Sequence, residues 1–237
     1  MRRIVAFIAL VLLGAATGSA EEAPRRADVW SLKLGTRASE LPSNDFIDYA
    51  CGSSGGPPQE SLAGWSDYNK CKPEPNGLRE VYFRYDDELE YWAKAHRSRT
   101  LIAQYGGTKV LDFPVIVSGL FDADGALAGL RIVTDPQASA QDRKQAYTLT
   151  NFFKARYGNE GWDCTDTPPG PGETPVGTLY INRRCTKLAK GDMRTVLETR
   201  FLRLSGQAEF SSSGKLTVGQ FESSSRLELL RPDIPVK

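Results

Sequence analysis

Histidine is nearly absent from this chain: His96 stands alone among 237 residues. A serine hydrolase needs a nucleophile activated by a positioned base, typically histidine. Only His96, in the charged run WAKAHRS, is there for that role; the spacings G-x-S-x-G about Ser54 and S-x-x-K from Ser212 to Lys215 each occur once, inside Gly- and Ser-rich runs that read as turns. His96 therefore reads as a surface or capping residue, and no catalytic residue is assigned. Cysteine is sparse as well, with Cys51, Cys71, Cys164 and Cys185 and no C-x-x-C spacing. With one histidine, that leaves no zinc ligand set. Phosphate-cradling loops of the forms G-x-x-x-x-G-K-[ST] and G-x-G-x-x-G are missing too. Asp122, Asp124 and Gly125 begin like a calcium loop, but the later oxygen ligands and closing glutamate are lacking, so they read as a turn. No metal and no cofactor is expected.

Charge of one sign is also lacking. The formal net charge is +1, and loss of Arg2 and Arg3 with an N-terminal signal would tip it to the acidic side. Nucleic acid binding loses its electrostatic basis, and the cluster Arg183, Arg184 and Lys187 reads as a solvated face.

Beyond the N-terminus no apolar run reaches membrane length. Residues 1–20 combine basic Arg2 and Arg3, an apolar stretch from Ile4 to Ala16 and the small residues Gly18, Ser19 and Ala20, which is the pattern of a secretory signal cleaved before Glu21. Residues 21–29 then form a loose tail. The expected product is a soluble periplasmic or secreted protein. In an oxidising compartment the four cysteines should pair. Three pairings exist. Cys51 with Cys71 and Cys164 with Cys185 are favoured, because each pair brackets a Gly- and Pro-rich loop. Each bridge is worth about 3 kcal/mol for a loop of that length.

Along the chain, a short helix is expected around 38–49, interrupted by Pro42, and a strand over 78–85 in LREVYFRY. The run Asp86, Asp87, Glu88 fits a helix start, with Leu89, Trp92, Ala93 and His96 at helical spacing. A hairpin follows, with strands 110–121 and 127–134 about a turn at 122–126. Ser139 with Asp142 caps a helix running to Tyr157 and stopped at Gly158. Further strands are expected near 176–184, 193–204, 216–221 and 226–230.

The fold class is therefore α+β: antiparallel sheet with a few packed helices. One reading is a tandem helix-plus-sheet repeat with sub-domains 30–136 and 137–237. The other is a single large antiparallel sheet with helices on one face. In element order and cysteine-loop spacing alone, the chain resembles the tandem arrangement of the secreted β-lactamase-inhibitor fold.

Three function classes remain. The first is a non-enzymatic envelope protein that binds another exported protein or envelope component, with Trp65, Tyr68 and Trp162 as contact candidates in or beside the cysteine loops. The second is a hydrolase of cell-wall glycan working with carboxylates drawn from Asp86, Asp87, Glu88 and Glu90. The third is a small-ligand carrier.

Overall fold

The computed structural model describes residues 28–85, 88–105, 108–111, 113–189, 193–204, 208–210, 216–218 and 221–235. The expected signal, most of the N-terminal tail, Asp86 and Asp87 lie outside them. In chain order the strands are β1 (Phe46–Cys51), β2 (Arg79–Tyr85), β3 (Lys109–Val110), β4 (Phe113–Phe121), β5 (Leu127–Thr134), β6 (Asp163–Asp166), β7 (Glu173–Thr174), β8 (Ile181–Leu188), β9 (Arg194–Leu204), β10 (Ala208–Phe210), β11 (Leu216–Val218) and β12 (Glu222–Leu230). Helices α1 (Glu88–Ala95) and α2 (Arg99–Tyr105) separate β2 from β3, and α3 (Ala140–Gln145) and α4 (Leu149–Tyr157) separate β5 from β6.

The main sheet runs β1-β2-β4-β5-β12-β9-β8-β6, with β3 beside β4 and β7 beside β9, while β10 and β11 pair separately. Every pairing is antiparallel. The protein is thus α+β with a large antiparallel sheet. The N-terminal strands form one meander and the C-terminal strands another. The two join where β5 meets β12, the last strand of each, in the register Arg131↔Glu228. Alone, each meander would leave that strand as an open edge; pairing them closes both edges against each other. The repeat-like order read from the sequence is therefore built into one continuous sheet.

Period-2 alternation decides what each face carries. One cross-strand row reads Phe83, Val117, Ile132, Leu227, Leu197, Cys185 and Cys164, and all but Cys164 at the edge are buried. Leu149 and Phe153 of α4 join the same core cluster. The helix expected from Ser139 to Tyr157 begins and ends as read: the Ser139 side chain accepts the Asp142 N–H, and Gly158 terminates it with φ +87°. It is interrupted by a 3-10 turn over Ala146–Thr148. There Ser225 of β12 takes the Thr150 N–H at 3.1 Å and donates to the Ala146 carbonyl at 2.8 Å. A sheet hydroxyl has replaced helical partners, and the turn tightens accordingly.

The helix expected over 38–49 does not form. Ala38–Glu40 make one 3-10 turn, and Phe46–Cys51 are strand β1. Pro42 breaks the helix, and β1 gains ladder partners on both sides. It pairs with β2, and the loop 59–62 bonds back through Cys51 N–H to Glu60 O and Leu62 N–H to Tyr49 O. Tertiary pairing outweighs local propensity here.

Both disulfides pair as expected, Cys51–Cys71 with Cα atoms 5.2 Å apart and Cys164–Cys185 with 4.0 Å. Cys51, Cys71 and Cys185 are buried, whereas Cys164 is exposed on edge strand β6. Thiol exchange requires access to a sulfur. Limited reduction by a small thiol, followed by alkylation and peptide mass mapping, is expected to label Cys164 and Cys185 well before Cys51 and Cys71; equal labelling would contradict this.

Candidate functional site

The face opposite α3 and α4 carries a field of polar and charged side chains beside a small buried apolar cluster of Leu78, Leu120, Ala128, Val196, Leu230 and Ile234. Two adjacent cross-strand rows define the field. One reads Tyr82, Ser118, Arg131, Glu228, Val196, Thr186 and Asp163. The next reads Val133, Arg226, Glu198, Arg184 and Thr165, so that three neighbouring strands alternate positive, negative and positive charge.

At the centre of this face lies Arg131, with only 4% of its side chain exposed. Its guanidinium meets Glu74 at 2.6 Å and 2.9 Å, Glu80 at 2.8 Å and Glu228 at 2.7 Å. Arg226 bonds the same Glu228 at 2.6 Å. Burial pushes the Arg131 pKa down, but the Glu74 hydrogen bond and the charges of Glu80, Glu228 and Glu74 more than reverse this, holding it above its usual value. For Glu228, burial acts upward, yet the charges of Arg131 and Arg226 outweigh it and keep this carboxyl below its usual range. Glu228 is thus ionised and suited to accept hydrogen bonds, not to deliver a proton.

The first disulfide loop walls this cluster. Glu80 accepts the Ser54 N–H at 2.6 Å, and Arg226 donates to the Ser54 carbonyl at 2.7 Å. Close approach is possible because two glycines lack a Cβ. At Gly52 a Cβ would lie 2.3 Å from the Glu80 side chain, and at Gly55, where φ is +89°, 2.6 Å from Val133. The Cys51–Cys71 bridge anchors both ends of the loop beside β1 and β2 and so holds Ser54 over the face. Between this loop, Glu74 and the C-terminal turn opens a depression of about 470 Å³ that includes Arg131, Arg184, Glu198, Arg226 and Glu228. A second, of about 630 Å³, includes Asp163, Thr165, Arg184, Thr186, Lys187 and Arg194. Arg184 lines both. Its contact with Glu198 is 3.7 Å, and its Nε has no hydrogen-bond partner among the described residues.

The residues singled out from sequence scatter. Trp65 is 2% exposed, its Nε1 donates to Pro42 O, and its ring packs against Phe46, Tyr49, Phe83 and Phe121. It is a core residue, not a surface contact. Tyr68 is half-buried and stacks on Phe121. Trp162 is half-buried, with Nε1 donating to Gly158 O and Lys187 Nζ 5.6 Å from its ring centre; its chain neighbours Gly161 and Asp163, not Trp162 itself, line the second depression. Asp122 closes the hairpin turn, accepting from Asp124 and Ala126 N–H as a turn residue does. Arg183 forms a two-pronged pair with Asp166, and Lys187 caps the carbonyls of Gly158 and Glu160. Glu88 and Glu90 fall on α1, and His96 stands exposed just beyond it. No group of three or more potential metal-ligating side chains occurs among the described residues.

Glu74, Glu80, Arg131, Arg226 and Glu228 were not legible as a site. The available signal was a charge inside an apolar strand: Arg131 in LAGLRIVT and Glu228 in RLELL, positions seldom occupied by a charge unless it is paired.

Fold and face together define a disulfide-bonded α+β protein with one apolar, helix-covered sheet face and an opposite face on which a charged field adjoins a small apolar cluster. No helix among the described residues is long and apolar enough to cross a membrane. The chain matches no protein-family model, no curated protein and no solved structure. The likeness to the β-lactamase-inhibitor arrangement therefore stays one of element order.

Proposed function

We propose that this is an exported, non-catalytic protein of the periplasm or extracellular space that binds another exported protein or envelope component on its charged sheet face. The observation that carries the reading is the alternating Arg226–Glu198–Arg184 row, flanked by two depressions and held on a rigid sheet by the buried Arg131 cluster. Charges fixed in advance lose little freedom on docking, and arginine-rich polar surfaces favour partner selection and fast association. The Glu228 carboxyl is held ionised by two arginines, which favours binding over acid catalysis. Both depressions are open rather than enclosed, and the first is mostly polar, which gives no support to an enclosing apolar ligand carrier.

A photo-crosslinking residue placed at Thr165 or Thr186, compared with one at Lys144 on α3, tests this in the secreting cell. The expected result is a discrete adduct from the sheet-face positions only, lost on Arg184→Glu. That substitution should change stability by no more than about 1 kcal/mol, because the pair it breaks is part-exposed. Adducts from all three positions alike, or from none on the face, would overturn the proposal.

A further inference from the structure

Strand β6 (Asp163–Asp166) is the outermost strand of the sheet, and among the described residues no strand pairs with its free edge. All four of its residues are exposed, so no apolar burial holds it in place. Its ladder to β8 spans four residue pairs. The Thr167 N–H bonds the Asn182 carbonyl in the same register. Antiparallel alternation then makes Asp163↔Thr186 and Thr165↔Arg184 the hydrogen-bonded pairs and Cys164↔Cys185 a non-hydrogen-bonded one. The Arg183–Asp166 ion pair is open to solvent and adds little. The disulfide is therefore the main tie of β6 to the molecule, running from the exposed Cys164 to Cys185, which is 1% exposed. A cross-link closing a loop of about twenty residues favours the closed arrangement on the order of a hundredfold. Without it, the cost of ordering four residues is close to what their few hydrogen bonds return.

The two sulfurs differ in what can reach them. A thiolate can approach Cys164 from the sheet edge, whereas Cys185 belongs to the core cluster. Lys154 of α4 places its Nζ 4.0 Å from Cys164 Sγ. A cation there favours a thiolate on Cys164 and so stabilises the opened form. The neighbouring carboxylates do not cancel it: Asp166 is held two-pronged by Arg183, and Asp163 points to the opposite face of the strand. The second depression in turn depends on β6. Asp163 and Thr165, with Gly161, line it together with Arg184, Thr186 and Leu188. Removing β6 takes away that part of its lining.

We propose that Cys164–Cys185 is a thiol–disulfide exchange site, and that its reduction by a protein dithiol frees β6 and dismantles the outer side of the second depression. One thiolate of the dithiol attacks Cys164 Sγ, the bond between Cys164 and Cys185 breaks, and Cys185 leaves and takes up a proton. The second thiolate attacks the mixed disulfide at the sulfur of its own chain and expels Cys164 as a thiolate beside Lys154. Two electrons pass to the two cysteines and the dithiol becomes a disulfide, one of its protons going to Cys185 and the other to solvent. The consequence for partner binding rests on the sheet-face reading; the release of β6 does not.

The test is amide hydrogen exchange on the protein as secreted, oxidised and after dithiothreitol has opened Cys164–Cys185 with Cys51–Cys71 still closed. Photo-crosslinking from position 186 in the secreting cell, wild type against Cys164→Ser/Cys185→Ala, is the second readout. On reduction, exchange over residues 163–167 is expected to quicken on the order of a hundredfold while β9 and β12 keep their protection. The double variant should show the same pattern without reductant, and its crosslink from position 186 should fade. Lys154→Gln should shift the exchange equilibrium with dithiothreitol about fivefold toward the closed bridge, the worth of one charge at about 4 Å in water, with its urea midpoint unchanged. Amides at 163–167 that stay as slow in the reduced protein as in the oxidised one would overturn the proposal. Lys154→Gln opening at the wild-type ratio would overturn the part given to Lys154. A crosslink that persists once β6 is free would overturn control of the face by the bridge and leave the sheet-face reading standing. No crosslink even with the bridge closed would sink the sheet-face reading, and the exchange rates alone would then decide for or against the release of β6.

Discussion

Arg131→Met is expected to cost about 3–5 kcal/mol of folding stability, the usual result of stranding buried charges by removing their partner. Glu74, Glu80 and Glu228 would then face one another around an apolar side chain, with only Arg226 left on Glu228. The pH dependence should change sign as well. In the wild type, the Glu228 carboxyl lies below its ordinary value of 4.5, so its stabilisation is fully present above that pH and is lost as pH falls through the lowered folded value. In Arg131→Met the crowded carboxylates are pushed above their unfolded values. Their penalty is then present at neutral pH and is relieved as pH falls through those raised values. Urea midpoints at pH 7 and pH 5 read this directly: little change for wild type from this cluster, and a gain toward pH 5 for the variant. Adding Glu80→Gln and Glu228→Gln should recover part of the loss at pH 7, since two of the three carboxylates are neutralised and the one that remains charged, Glu74, is the most exposed of them, while Arg226 loses its partner. A variant that weakens further at pH 5 would show that Arg131 acts by packing rather than by neutralising its neighbours.

Trp65→Ala is expected to lose about 3–5 kcal/mol, as large-to-small changes in well-packed cores do. The ring fills the space between Phe83 at 4.7 Å, Tyr49 at 4.9 Å and Phe121 at 5.9 Å, and truncation also removes the Nε1 donor of the Pro42 carbonyl. Trp162→Ala, at a half-buried position, should cost only about 1 kcal/mol. Urea denaturation of the two variants side by side tests the pair. Comparable losses would mean that Trp162 is structural too.

These two tryptophans show how far a linear reading reaches. Both lie in or beside a cysteine loop rich in glycine and proline, and nothing local separates them. Trp65 turns inward because its loop folds over the apolar face beside Phe46 and Phe83, residues about twenty positions away on either side. The hairpin of β4 and β5 and the ends of the segment from Ser139 to Gly158 were legible, since turn chemistry, caps and periodicity act within a few residues. The break at Ala146–Thr148 was not, because the hydroxyl responsible belongs to Ser225, far along the chain. Strand β6, with the short sequence DCTD, carried no periodic signal and exists through its ladder to β8 and the Cys164–Cys185 bridge.

By itself the sequence determined the α+β class and the run of antiparallel strands, set by alternation and turn residues, and it favoured the two local disulfides that the structure shows. Only the tertiary structure decided that β5 pairs with β12. That pairing fuses two meanders into one sheet and places Arg131 beside Glu228, 97 residues apart in the chain. Alternation tells which side chains share a face of one strand, whereas the choice of neighbouring strand depends on which edges remain unpaired once each meander has formed.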